Sequence, residues 1–116
     1  MSGTAAAAPP DPLDRTLAAL ADPARRRVVE LLREQPRRAG ELADALSVSP
    51  SVMSRHLKVL RDSEVVEEAS PEFDARVRIY SLRSGATAAL RSWLEAVEDG
   101  WTEQLTALKA HVEGRG

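Results

Sequence analysis

Ser51, Ser54, Arg55, Lys58 and Asp62 are spaced so that, at about 100° per residue, they share one side of a helix. Met53, Leu57 and Leu60 fall within about 40° of one another on the other side, an apolar seam that has to be buried. A helix with small hydroxyl residues at its N-terminal end and cations beyond them suits a DNA major groove. Small residues permit close approach, hydroxyls donate to or accept from base edges, and Arg grips guanine bidentately. Taken alone, the same face reads equally as a solvated helix surface, so the decision rests on the elements around it.

Other chemistries have little to work with. The chain has no cysteine, which excludes disulfides, thiolate metal sites and cysteine nucleophiles, and only two histidines, His56 and His111. Ser54 and His56 are two apart on a helix and point away from one another, so they make no nucleophile–base pair. His56 lies about 60° from the apolar seam, the place of a packed histidine bonded to a neighbouring helix. No catalytic residue, metal ligand or cofactor is expected.

At 116 residues the chain holds one domain, and aromatic residues are only 3%, so Leu, Val and Ala must build the core, which favours helices. No run of apolar residues is long enough to span a membrane, and no secretory leader pattern opens the sequence, so a cytoplasmic location is expected. The net charge of −2 argues against coating nucleic acid through bulk positive charge, but the distribution is uneven. Residues 25–61 carry +5 and 75–91 carry +4, separated by −6 across 62–74.

Residues 1–12, rich in Ala and Pro, read as a disordered tail before a domain at 13–113. Leu13, Leu17 and Leu20 mark a short one-faced helix. Asp22-Pro23 is a cap followed by a first-turn proline, opening a helix to about Glu34 that buries Val28, Val29, Leu31 and Leu32. A third helix, about Gly40–Leu46, turns Leu42, Ala43 and Leu46 inward, and Ser49-Pro50 caps the fourth, to about Ser63. Val65–Ala69 and Arg76–Leu82 read as a hairpin around a turn at 71–75. Leu90, Leu94, Val97, Trp101, Leu105, Leu108 and Val112 form one stripe on a last helix from about Gly85 to Val112, with Gly100 a candidate kink. The fold class is mainly α with a small β-hairpin wing: a winged helix-turn-helix, whose fourth helix is the reading helix.

Three runs then carry a resemblance: Leu20-Ala21-Asp22-Pro23-Ala24-Arg25-Arg26, Gly40-Glu41-Leu42-Ala43, and Ser54-Arg55-His56-Leu57-Lys58-Val59-Leu60-Arg61. With Arg78-Ile79-Tyr80-Ser81-Leu82 as a second wing strand, the chain resembles the ArsR/SmtB family of winged helix-turn-helix regulators across about residues 13–113. The resemblance implies a homodimeric transcription regulator, usually a repressor that leaves its operator when an inducer binds. Metal sensors of that family carry a Cys-x-Cys type motif where this chain has Glu41-Leu42-Ala43-Asp44-Ala45-Leu46, and a His-rich pattern on the last helix where this chain has His111 alone. The non-metal branch is therefore the better likeness, and the inducer is not named by the residues.

Two departures bear on DNA binding. Glu64 stands where the family usually has Gly after the reading helix, implying strain or a different exit. The turn Ser70-Pro71-Glu72-Phe73-Asp74-Ala75 is acidic where the family's wing tip is usually basic. The residues expected on double-stranded DNA are Arg37, Arg38, Ser49, Ser51, Ser54, Arg55, Lys58, Arg76 and Arg78, with Arg55 on bases and the wing arginines on phosphates. Arg25, Arg26 and Arg27 fit either phosphate contacts or internal partners. The expected dimer interface is Leu13, Leu17, Leu20, Leu90, Trp93, Leu94, Val97, Trp101, Leu105 and Leu108, because a monomer would leave the last stripe as a large apolar patch. A winged-helix module that binds protein instead of DNA is the alternative, favoured by the acidic wing.

Overall fold

The computed structural model describes residues 11–114, so the tail expected at residues 1–12 lies, but for its last two residues, outside the described part. Its helices and strands run α1 (Pro12–Leu20), α2 (Pro23–Glu34), β1 (Arg37–Arg38), α3 (Ala39–Leu46), α4 (Pro50–Asp62), β2 (Val66–Ala69), β3 (Ile79–Leu82) and α5 (Ala88–Gly114). Three of the five helices begin with a capping side chain followed by proline. Asp11 accepts from the Asp14 N–H at 2.8 Å, Asp22 from Ala24 at 2.7 Å, and Ser49 from Val52 at 3.2 Å. Each cap satisfies an orphan N–H that the helix geometry leaves open. For Asp22, these backbone N–H bonds, Ala24 foremost, hold the carboxyl below its ordinary range against the opposing effect of desolvation.

The core is built from α1–α4 and the sheet: Ala19, Val28, Leu31, Leu32, Leu42, Ala43, Met53, Leu57, Leu60, Val65, Val66 and Tyr80. The Met53–Leu57–Leu60 seam is fully buried, as its spacing requires, and truncating Leu57 to alanine would cost about 2–5 kcal/mol. Helix α1 differs from its expected single apolar face. Thr16 and Ala19 point into the core, Leu20 packs against that core, and Leu17 is 40% exposed. The Thr16 hydroxyl is satisfied by the Pro12 carbonyl at 2.9 Å.

The wing contains one more strand than the sequence suggests. Strand order is β1-β3-β2, all antiparallel, with Arg37 opposite Tyr80 and Arg38 opposite Ile79. The outgoing strand is shorter than the expected Arg76–Leu82, because Asp74 organises a turn through Val77. It accepts from the Arg76 N–H on its side chain at 3.0 Å and from the Val77 N–H on its carbonyl at 3.2 Å.

Helix α5 is 27 residues long, about 40 Å at 1.5 Å per residue, and runs unbroken through Gly100. It starts at Ala88 and not near Gly85, because Gly85 takes a positive φ of 75° within a turn. None of its residues is buried, and among the described elements its main packing partner within the protomer is α1. The radius of gyration, 19.9 Å, exceeds the roughly 13 Å of a compact chain this size, which reflects that projecting helix.

Candidate nucleic-acid interface

Helix α3, a three-residue turn and α4 form the helix-turn-helix. The turn is fixed at Ser47, whose left-handed φ of 55° lets the Val48 N–H return to the Ala43 carbonyl at 3.0 Å and the Ser47 N–H to Asp44 at 3.2 Å. Glu41 accepts from the Arg38 backbone N–H at 3.0 Å and tightens the start of α3. With Met53, Leu57 and Leu60 held in the core, the remaining side of α4 has to face outward. Ser49, Ser51, Ser54, Arg55 and Lys58 are all exposed there, as their spacing predicts.

Their availability differs. The Ser49 hydroxyl is occupied as the cap of α4 and stands 3.2 Å from the Ser51 hydroxyl. Lys58 reaches Asp62 at 2.9 Å, an exposed pair worth about 0.3–0.5 kcal/mol that a phosphate could replace. Arg55 has no hydrogen-bond or ion-pair partner among the described residues, and the same holds for the Arg38 guanidinium at the foot of α3. Arg37 departs from its expected place on phosphates. Only 18% exposed, it donates to the Leu31 carbonyl at 3.3 Å and pairs with Glu34 at 3.0 Å, closing the C-terminal end of α2.

Two of the three arginines that open α2 are tied to α1. Arg25 Nε donates to the Ala19 carbonyl at 2.6 Å and Arg26 to the Leu20 carbonyl at 2.8 Å, so both finish α1, which has no basic residue in its own last turn. Arg27 lies near Glu30 at 3.5 Å, exposed. His56 is half-buried, with Asp22 among its charged neighbours.

The wing holds its two arginines differently. Arg76 is 93% exposed and leans on Asp74 at 3.3 Å. Arg78 pairs with Glu68 at 2.7 Å, and the same Glu68 oxygen takes Arg61 from the last turn of α4 at 2.8 Å. Sequence reasoning missed both Glu68 and Arg61. The signal was the strand register, which sets Glu68 opposite Tyr80 and so near Arg78, the residue just before β3. The helix exit at Glu64 does adopt the left-handed conformation, φ 61°, with the Val65 N–H returning to Leu60 at 2.9 Å and the Glu64 N–H to Arg61 at 3.0 Å.

The apolar stripe of α5 is uncovered. Trp101 is 65% exposed and Leu105 54%, with Trp93, Leu94, Val97, Leu108 and Val112 exposed beside them; Leu90 and Leu13 are half-buried. No three His, Asp or Glu side chains gather in a way that would hold a metal ion among the described residues. No described helix is long and apolar enough to cross a membrane.

A capped, outward-facing basic helix behind a fixed three-residue turn, flanked by a small antiparallel wing, defines a winged helix-turn-helix DNA-binding domain. Residues 22–68, from the cap of α2 to β2, match the bacterial regulatory protein, arsR family. The chain is 38% identical over 103 residues to the HTH-type transcriptional regulator Rv2034 of Mycobacterium tuberculosis, covering 89% of this chain and 91% of that one. It is 30% identical over 56 residues to the transcriptional repressor SdpR of Bacillus subtilis, covering 48% and 62% of the two chains. Among solved structures, an ArsR-like transcriptional regulator from Rhodococcus sp. RHA1 superposes with a TM-score of 0.70 at 27% identity, covering 92% of this chain and 93% of that one. The chain belongs to the ArsR family and is a winged helix-turn-helix transcriptional regulator.

Proposed function

We propose that the protein is a homodimeric, non-catalytic cytoplasmic repressor that binds a palindromic operator by inserting α4 into the major groove. The observation that carries this reading is the α4 face: the buried seam fixes the helix rotation, and Ser51, Ser54, Arg55 and Lys58 are left outward. Arg55 is the base reader, since no internal acceptor competes for its guanidinium among the described residues. Lys58, Arg38 and Arg76 meet phosphates. The uncovered α5 stripe, with Leu17 of α1 exposed beside it, supports dimerisation through α1 and α5. Two copies would then set their α4 helices into successive major grooves about 34–36 Å apart. Repression is inferred from the likeness to SdpR, which is named a repressor.

The test is a titration of purified protein into duplex DNA from upstream of its own gene, beside a scrambled duplex of the same composition. Saturable binding to the first at concentrations that leave the second free is expected. Equal binding to both, or none to either, would leave the domain as a protein-interaction module and refute the reading.

A further inference from the structure

Glu68 lies on β2 between the two elements a winged helix brings to DNA. Strand β2 packs against α4, which places Arg61 of the last helical turn beside it, and the antiparallel register places Arg78 of the wing on its other flank. Glu68 Oε1 accepts from Arg61 Nη1 at 2.8 Å and from Arg78 Nη1 at 2.7 Å. The Glu68 side chain is only 19% exposed, whereas Arg61 and Arg78 are 42% and 60% exposed. Its second oxygen is buried with no partner of full hydrogen-bond geometry, and the Tyr80 hydroxyl is its polar neighbour across the strands. The carboxylate is the most buried member of the three, while the two guanidiniums it holds remain within reach of solvent.

We propose that Glu68 is a charge brake on the DNA-binding surface: it withholds Arg61 and Arg78 from the phosphate backbone and so lowers sequence-independent affinity. This rests on the DNA reading above. A carboxylate between two cations reduces the field that both present to a phosphate, and each phosphate neutralised by a cation adds to the salt dependence of binding. Tyr80 and the two guanidiniums favour the ionised carboxylate and hold the Glu68 carboxyl below its ordinary range, so the brake stays charged near neutral pH.

The experiment measures the salt dependence of binding to operator and scrambled duplexes for wild type, Glu68→Gln, Arg78→Ala and the double variant. Glu68→Gln keeps the shape and removes the charge. One or two additional phosphate contacts steepen the slope of log K against log salt by about 0.9–1.8. At 0.15 M salt that corresponds to about 5- to 30-fold tighter binding, shared by operator and scrambled DNA. Arg78→Ala should change the slope less in the wild-type background than in the Glu68→Gln background, because Glu68 already holds that cation. Weaker binding by Glu68→Gln, with its melting temperature maintained, would mean that Glu68 aims the arginines instead of withholding them, and would overturn the proposal. An unchanged slope, or equal Arg78→Ala effects in both backgrounds, would overturn it too. Wild-type protein that binds neither duplex refutes the DNA reading itself, and this proposal with it.

Discussion

Helix α4 has to reverse direction at Glu64 to deliver Val65 and Val66 into the core, and it does so through a left-handed residue that carries a side chain, φ 61°. Glu64→Gly is the perturbation that reads the resulting strain. A non-glycine residue in this conformation costs about 1–2 kcal/mol, and glycine's extra freedom in the unfolded chain returns about 0.5–1 kcal/mol of that. The side chain's one compensation is an ion pair with Arg83 at 3.8 Å, half-exposed on both sides and worth at most a few tenths of a kcal/mol. The net expectation is a gain of about 0.5–1 kcal/mol, roughly 2–5 °C in melting temperature for a chain of this size. Urea denaturation at a single fixed protein concentration is the assay, since a dimer's apparent stability depends on concentration. Glu64→Ala is the control: it retains the positive-φ cost and loses only the ion pair, so it should gain nothing. A glycine variant no more stable than the alanine variant would refute the strain argument.

Leu105→Asp places a charge in the uncovered α5 stripe and should convert a wild-type dimer into a monomer by sedimentation at micromolar concentration; a wild-type monomer would dismiss the interface. Ser49→Ala removes the cap of α4 and should cost about 1 kcal/mol in urea denaturation, while an unchanged midpoint would show the cap to be idle. Asp22 is held below its ordinary range first by the Ala24 N–H, and Glu68 first by Tyr80 and then by Arg61 and Arg78. A depressed folded pKa contributes stability that is complete above the unfolded value and is lost as pH falls through the folded one. The urea midpoint should therefore hold from pH 7 to about 5 and fall below about pH 4, less steeply in Asp22→Asn. A midpoint that rises on acidification would contradict the assignment.

The helical frame was legible because it is written in local chemistry. Asp22-Pro23 and Ser49-Pro50 are caps whose function needs only neighbouring N–H groups, and the Met53–Leu57–Leu60 seam follows from helical spacing alone. Strand β1 was not legible: its two residues, Arg37 and Arg38, show no apolar alternation and pair through backbone groups with a segment some forty residues away. For the same reason the partner of Arg78 was hidden, since Glu68 comes beside it only once the register is fixed, whereas Glu34 is a local partner, three residues before Arg37, that the end of α2 brings within reach. On α1 the leucine spacing marks Leu13, Leu17 and Leu20, whereas the residues buried in the core are Thr16 and Ala19, small side chains that carry little apolar signal in the sequence. Gly100 reads as a break by propensity, yet it sits in an unbroken helix with open space around it in the protomer. Glycine alone lowers helix stability by about 1 kcal/mol and does not end a long helix.

The central claim is that the outward face of α4 reads base sequence, and Arg55→Ala tests it most directly. Each lost bidentate contact should cost about 1–3 kcal/mol of discrimination, a fall of roughly 5- to 150-fold per half-site in the ratio of operator to scrambled affinity. Binding to scrambled DNA should change far less. A ratio that stays at the wild-type value, or an equal loss of affinity for both duplexes, would make Arg55 a phosphate contact or a bystander and contradict the account.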